Sequence, residues 1–131
     1  MSANRTILCV DDDPDDLELL IKALETVNKS YRLLEAEDGT DALAKLWEMH
    51  KEGTLPCPIV LDINMPKMDG KETLVAFQQQ DNFYKIPTVV LSTSSSALDK
   101  LFFAKKNVEL ITKPVNFDNL VNVAKKIIEL L

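Results

Sequence analysis

The sequence predicts one α/β domain with a parallel sheet and helices on both faces. Short β-rich apolar runs alternate with stretches of helical periodicity, in the order βαβαβαβαβα. Right-handed crossovers between parallel strands place helices on both faces of such a sheet. The apolar cores at 59–61 and 89–91 are continuous, which is typical of strands buried on both faces. With 131 residues, we expect 1–131 to form one domain without an attached output domain.

The five predicted strands are 6–10, 31–34, 58–61, 88–91 and 108–111. After the first strand, Asp13 and Pro14 predict a helix start, as the N-cap and the first helical residue. Asp15 and Asp16 are interpreted as first-turn acids that interact favourably with the helix dipole. The apolar stripe of this first helix consists of Leu17, Leu20, Ile21, Leu24 and Val27.

Four further helices are predicted at 40–51, 71–80, 96–105 and 117–131. Their expected core residues are Leu43, Leu46 and Trp47; Leu74, Val75 and Phe77; Leu98, Leu101 and Phe102; and Leu120, Val121, Ala124, Ile127 and Ile128. We interpret the apolar C-terminal end mainly as core, with a partner or dimer surface as the alternative. Cys9 and Cys57 are expected to fill small spaces in the core, and His50 to be solvated.

The composition excludes several function classes. Asp and Glu number 21 against 15 Lys and Arg, a net charge of −6, which argues against sequence-independent binding to nucleic acid or anionic membranes. Two cysteines and one histidine argue against a disulfide scaffold or a zinc site. No apolar run exceeds four residues and acids appear early, so we expect no membrane span or signal peptide, and a cytoplasmic location.

Polar residues follow four of the five predicted strands. Because ligands of open parallel sheets bind beyond the carboxyl ends of the strands, these residues are expected to converge on one edge. The set comprises Asp11, Asp12 and Asp13 after the first strand, Asp62 after the third, Ser92 and Thr93 after the fourth, and Lys113 after the fifth.

This combination of side chains predicts phosphoryl transfer. Clustered carboxylates repel one another, and oxygen ligands favour a hard divalent cation such as Mg²⁺. A lysine and a hydroxyl nearby could neutralise and bind a phosphoryl group, where catalysis is mostly positioning and charge neutralisation. Asp62 is the natural nucleophile, since a carboxylate can accept a phosphoryl group as an acyl phosphate.

These residues resemble the motifs of response-regulator receiver domains of two-component phosphorelays, over nearly the whole chain. The matching segments are Val-Asp-Asp at 10–12, Pro-Ile-Val-Leu-Asp-Ile-Asn-Met-Pro at 58–66, Met-Asp-Gly at 68–70, Ser-Thr at 92–93 and Lys-Pro at 113–114. Segments 12–17 and 91–95 are most similar to stand-alone receivers that partner bacteriophytochrome kinases. The resemblance implies a flavodoxin-like doubly wound five-stranded parallel sheet, order 2-1-3-4-5, with five helices.

The resemblance also implies a phosphoacceptor and a metal site. Asp62 would attack the phosphohistidine of a histidine kinase or a histidine phosphotransfer protein. Asp12, Asp62 and the backbone carbonyl of Asn64 would bind Mg²⁺ directly, and Asp11 would act mainly through a water molecule. Output would pass through protein–protein contacts to an unknown downstream protein, with a homodimer as a possibility, and the chain would catalyse only its own phosphorylation and dephosphorylation.

Further residues would contact the phosphoryl group. Lys113 would pair with it, Ser92 would be the switch hydroxyl, and the backbone amide of Thr93 would donate another hydrogen bond. The Lys113–Pro114 bond is expected to be cis. Leu110 departs from the family, which commonly has an aromatic residue there, so coupling to the surface of the fourth helix, fifth strand and fifth helix is expected to be weaker or differently built.

Two other functions remain open on the sequence. A Mg²⁺-dependent phosphohydrolase would need an acid two residues beyond its nucleophile, where this chain has Asn64. A receiver-like scaffold could work without phosphorylation. At single positions, Asp11 and Asp12 could form a solvated acidic turn, and Ser92 could begin a loop or help to cap the next helix.

Overall fold

The computed structural model describes residues 5–28, 30–63, 69–92 and 96–130, and within them the predicted order of elements is confirmed. The strands are β1 (Thr6–Val10), β2 (Arg32–Ala36), β3 (Ile59–Asp62), β4 (Thr88–Ser92) and β5 (Glu109–Thr112). The helices are α1 (Pro14–Val27), α2 (Gly39–Glu52), α3 (Gly70–Gln78), α4 (Ala97–Lys105) and α5 (Phe117–Ile128). All strand pairs are parallel, in the predicted order β2-β1-β3-β4-β5.

Each helix begins after a polar residue whose side chain accepts a backbone N–H bond. These N-cap residues are Asp13, Asp38, Asp69, Ser96 and Asn116. The caps satisfy N–H groups that have no partner inside the helix. Each cap therefore fixes the residue at which the helix begins after the preceding strand.

The sheet separates two apolar cores. Leu8 and Val10 face the core covered by α2, α3 and α4, whereas Ile7 and Cys9 face the core beneath α1 and α5. Alternate residues of one strand thus enter different cores, as the period of two of a β-strand requires. This burial on both faces explains why the central strands are continuously apolar.

The structure corrects the predicted core of two helices. On α4, Phe103 is fully buried, whereas Leu98 and Leu101 are 76% and 52% exposed. At about 100° per residue, these leucines lie about 140° and 200° around the helix from Phe103, away from the sheet. On α2, Leu46 is buried and Trp47 is 38% exposed, with its ring edge-on to Phe83 at a centroid distance of 4.6 Å.

Two further expectations differ from the structure. The cis peptide bond of the described residues lies at Cys57–Pro58, and the Lys113–Pro114 bond is not cis. The trans form is the ordinary one for a bond to proline, and Lys113 reaches its acidic partners with it. Cys9 is buried as expected, but Cys57 is only partly buried. Within the described chain, no helix has the length and apolar character needed to cross a membrane.

Candidate functional site

The carboxyl ends of four strands bring the predicted site residues to one edge of the sheet. Asp11 directly follows β1, Asp62 ends β3, Ser92 ends β4, and Lys113 directly follows β5. The parallel register places Val10 beside Leu61 and Ser92 beside Thr112, so the strands end at nearly the same level. Asn64 and Thr93, which were predicted to contribute to the site, lie outside the described residues.

Three carboxylates meet at this edge. Asp11, Asp12 and Asp62 can each place one oxygen within 4.8 Å of the others. Asp11 and Asp62 are buried, and Asp12 is exposed. Carboxylates this close repel one another unless a positive charge lies between them, and a set made only of oxygens suits Mg²⁺, Mn²⁺ or Ca²⁺.

Two hydrogen bonds hold the buried carboxylate of Asp11. The backbone N–H of Asp13 donates to its Oδ1 at 3.0 Å, and Lys113 Nζ donates to its Oδ2 at 3.2 Å. Burial raises the pKa of Asp11 despite these two bonds, which act to lower it. The loss of hydration on burial therefore has the largest effect on the pKa of Asp11.

Lys113 is the positive charge at the centre of the site. Its Nζ lies 3.2 Å from Asp11 Oδ2, 3.1 Å from Asp16 Oδ2 and 3.5 Å from Asp62 Oδ1. Burial alone would lower the pKa of Lys113, but the charges of Asp11 and Asp62 and the hydrogen bonds to Asp16 and Asp11 raise it. The ammonium group therefore stays charged over the whole physiological pH range.

Asp16 is a site residue that the sequence interpretation missed. It was interpreted as a first-turn acid, yet Lys113 donates a hydrogen bond to it across 97 residues of sequence. The available signal was its spacing, because Asp16 lies four residues before the buried Leu20 and thus on the sheet-facing side of α1. Asp15, one residue earlier, is exposed.

Ser92 is buried at the end of β4, with 1% of its surface exposed. Its carbonyl accepts the backbone N–H of Lys113 at 2.6 Å, which ties the end of β4 to the residue after β5. Ser96 caps α4, so the capping role considered for Ser92 is taken by another residue. Leu110, the departure from the family pattern noted in the sequence, is partly buried and packs against the core beneath α2, α3 and α4.

The chain is similar to known proteins over most of its length. Response regulator Rcp1 from Synechocystis sp. is 32% identical over 126 residues, which cover 94% of this chain and 86% of Rcp1. The crystal structure of the phosphorylated cyanobacterial phytochrome response regulator RcpA has a TM-score of 0.86 and 32% identity, and the match covers 97% of this chain and 93% of RcpA. The Mn²⁺-bound form of Rcp1 has a TM-score of 0.80 and 31% identity, covering 94% and 91%.

A family model agrees with these relatives. It describes the response regulator receiver domain and matches residues 7–125, which include the described acids and Lys113. The matched residues span β1 from Ile7 onwards and the whole of β2 to β5, which form the parallel sheet of the structure. The chain therefore belongs to the response regulator receiver domain family of two-component systems.

Proposed function

We propose that this receiver domain accepts a phosphoryl group on Asp62 from a phosphohistidine, in a Mg²⁺-dependent transfer. The donor would be a histidine kinase or a histidine phosphotransfer protein. The observation that carries this proposal is the position of Asp62, a buried carboxylate with Lys113 Nζ at 3.5 Å and two further carboxylates within 4.8 Å. Such a nucleophile lies next to one positive charge, Lys113, and next to two carboxylates that can bind a cation.

The donor set fits a divalent cation. Asp11, Asp12 and Asp62 would hold it, with the backbone carbonyl of Asn64 as the further ligand that we propose. When bound, Mg²⁺ supplies charge neutralisation between the carboxylates and the phosphoryl oxygens. The Mn²⁺-bound form of Rcp1 supports a divalent cation in such a domain, and Mg²⁺ specifically is our proposal.

The protein side chains have separate parts in the transfer. An oxygen of Asp62 attacks phosphorus, a P–O bond forms, and the P–N bond of the phosphohistidine breaks with its electron pair leaving on the imidazole nitrogen. Lys113, which is already 3.5 Å from Asp62 Oδ1, would move one N–H donor onto a phosphoryl oxygen. The Ser92 hydroxyl and the Thr93 amide would donate to other phosphoryl oxygens.

We further propose that the chain has no external substrate and acts on other proteins by contact in the cytoplasm. The residue two positions beyond Asp62 is Asn64, an amide that cannot protonate a leaving group as a phosphohydrolase requires. Cys9 and Cys57 are free thiols, which fits a reducing compartment.

A labelling experiment tests the phosphoacceptor. Wild-type protein incubated with phosphoramidate and Mg²⁺ should gain one phosphoryl group by intact-protein mass spectrometry, and Asp62→Asn should gain none. Asp15→Asn is the control, because it removes the same charge from an exposed position. Equal labelling of wild type and Asp62→Asn would contradict the proposed role of Asp62. Release of many phosphate equivalents from small phosphate esters would instead favour the phosphohydrolase.

A further inference from the structure

The ammonium group of Lys113 has partners of two kinds. Asp11 and Asp62 belong to the set of acids that can hold a cation, whereas Asp16 does not. Asp16 comes from the first turn of α1 and accepts a hydrogen bond from Lys113 Nζ at 3.1 Å. The Lys113 side chain is 14% exposed and that of Asp16 is 40% exposed, so Asp16 holds the ammonium from the solvent side of the site.

Lys113 and a divalent cation compete for the same carboxylates. Asp11 and Asp62 cannot fully neutralise both the ammonium and the cation. A carboxylate that moves closer to the cation moves away from the ammonium, and its attraction to the ammonium weakens. A buried ammonium without a carboxylate partner is costly. Asp16 lies outside the three-acid set, so it can keep its hydrogen bond to Lys113 when the other two carboxylates are engaged.

We propose that Asp16 is a positioning residue for Lys113, which anchors the ammonium on the α1 side while Asp11 and Asp62 are engaged by a divalent cation. This inference rests on the proposed function, since it gives Lys113 a second task beside the phosphoryl group. Asp15 lies in the same helical turn and is exposed, so it provides a matched control for the loss of one negative charge.

The first test is cation affinity, measured by calorimetric titration of the unphosphorylated protein with Mn²⁺. Without Asp16, Asp11 and Asp62 would be the remaining acidic partners of Lys113 among the described residues, and the ammonium would compete more strongly with the cation for them. The Kd of Asp16→Asn for Mn²⁺ should rise about three- to tenfold. This change corresponds to a free energy between that of an exposed ion pair and that of a hydrogen bond to a charged group. Asp15→Asn should change it less than about twofold. Equal changes in the two variants would overturn the inference.

The second test asks whether Asp16 acts through Lys113. In a Lys113→Met background there is no ammonium to anchor, so Asp16→Asn should now weaken Mn²⁺ binding no more than Asp15→Asn does. Should Lys113→Met fail to fold, Lys113→Gln takes its place in the cycle. If Asp16→Asn weakens Mn²⁺ binding as much in the Lys113→Met background as in wild type, Asp16 acts by attracting the cation directly. That result would overturn the inference.

The two proposals fail in different ways. Failure of wild type to be labelled by phosphoramidate would remove the proposed function. Normal labelling of wild type, combined with identical Mn²⁺ affinities for Asp16→Asn and Asp15→Asn, would remove only the role of Asp16. Normal labelling with a selective loss of affinity in Asp16→Asn supports both.

Discussion

Gly70 shows how a single residue supports the end of β3. A methyl group on Gly70 would lie 2.6 Å from the Cα of Ile63 and 2.7 Å from the carbonyl oxygen of Asp62. Both are backbone atoms and cannot rotate away. The N–H of Gly70 also donates to the carbonyl of Ile63 at 2.7 Å, so α3 begins in direct contact with the strand end that carries Asp62.

We predict that Gly70→Ala displaces Asp62 and impairs labelling. The clash should lower the free energy of unfolding by about 1–3 kcal/mol, as overpacking does elsewhere. Labelling by phosphoramidate should slow several-fold even where urea titration shows the protein to be fully folded, because the end of β3 must shift to accept the methyl group. The rate of labelling is followed by mass spectrometry.

Gly53→Ala is the control for Gly70→Ala. Gly53 directly follows α2 as its C-cap, with a φ of 71°, so alanine there is strained by roughly 1 kcal/mol, but its Cβ would meet nothing within 4 Å. This variant should lose stability and keep the wild-type labelling rate. If the two variants were labelled equally fast, contact between Gly70 and β3 would not be what positions Asp62.

At the scale of elements, a charged side chain joins α3 to α4. Lys71, the second residue of α3, forms an ion pair with Asp99 of α4, and its Nζ lies 5.5 Å from the centre of the Phe102 ring. The hydrogen bond from Lys71 is the main reason that the pKa of Asp99 is lowered. The pair therefore connects the helix that follows the Asp62 strand with the helix that follows the Ser92 strand.

The pKa of Asp99 provides a test of this connection. In wild type, carboxyl NMR should give Asp99 a pKa below the ordinary value of about 3.9, and Lys71→Gln should raise it towards that value. Because the folded-state pKa is lowered, the pair contributes stability above about pH 4 and loses it as the pH falls through the folded-state pKa. Lys105→Gln, at an exposed lysine of α4, should leave the pKa of Asp99 unchanged. An unshifted Asp99 in wild type would exclude the ion pair in solution.

The order and type of the elements could be predicted because their signals are local. Asp13 and Pro14 mark the start of α1, and the apolar strand runs are visible in the sequence. The face of α4 could not be predicted, since Leu98, Leu101, Phe102 and Phe103 surround the helix with apolar groups. Only the position of the sheet decides that Phe103 is buried.

The acidic cluster and Lys113 were predicted by a simple topological rule, because strand ends of a parallel sheet meet at one edge. The rule did not identify Asp16, because Asp16 belongs to a helix and not to a strand end. Its partner is 97 residues away, and the favourable interaction of a first-turn acid with the helix dipole already gave Asp16 a local explanation. Long-range pairs of this kind depend on how the helix is rotated against the sheet.

At the scale of the whole molecule, folding concentrates part of the net charge of −6 at one place. The carboxylates of Asp11, Asp16 and Asp62 lie within 3.5 Å of Lys113 Nζ, and Asp12 belongs to the same three-acid set as Asp11 and Asp62. In the unfolded chain Asp62 is far in sequence from Asp11, Asp12 and Asp16, so the repulsion between Asp62 and these three acids arises mainly in the folded state. A cation that binds this cluster will therefore stabilise the folded protein selectively.

Added Mg²⁺ is predicted to raise the Tm of the protein. At about one hundred times its Kd, a ligand specific for the folded state adds about 2.7 kcal/mol, which corresponds to several degrees in a domain of this size. Asp12→Asn should lose most of the increment, because it removes the exposed carboxylate of the three-acid set, and Asp15→Asn should keep it. Scanning calorimetry at constant ionic strength separates specific binding from screening. If NaCl at the same ionic strength raised the Tm equally, the effect of Mg²⁺ would be screening of the clustered carboxylates. The prediction of a specific cation site would then be wrong.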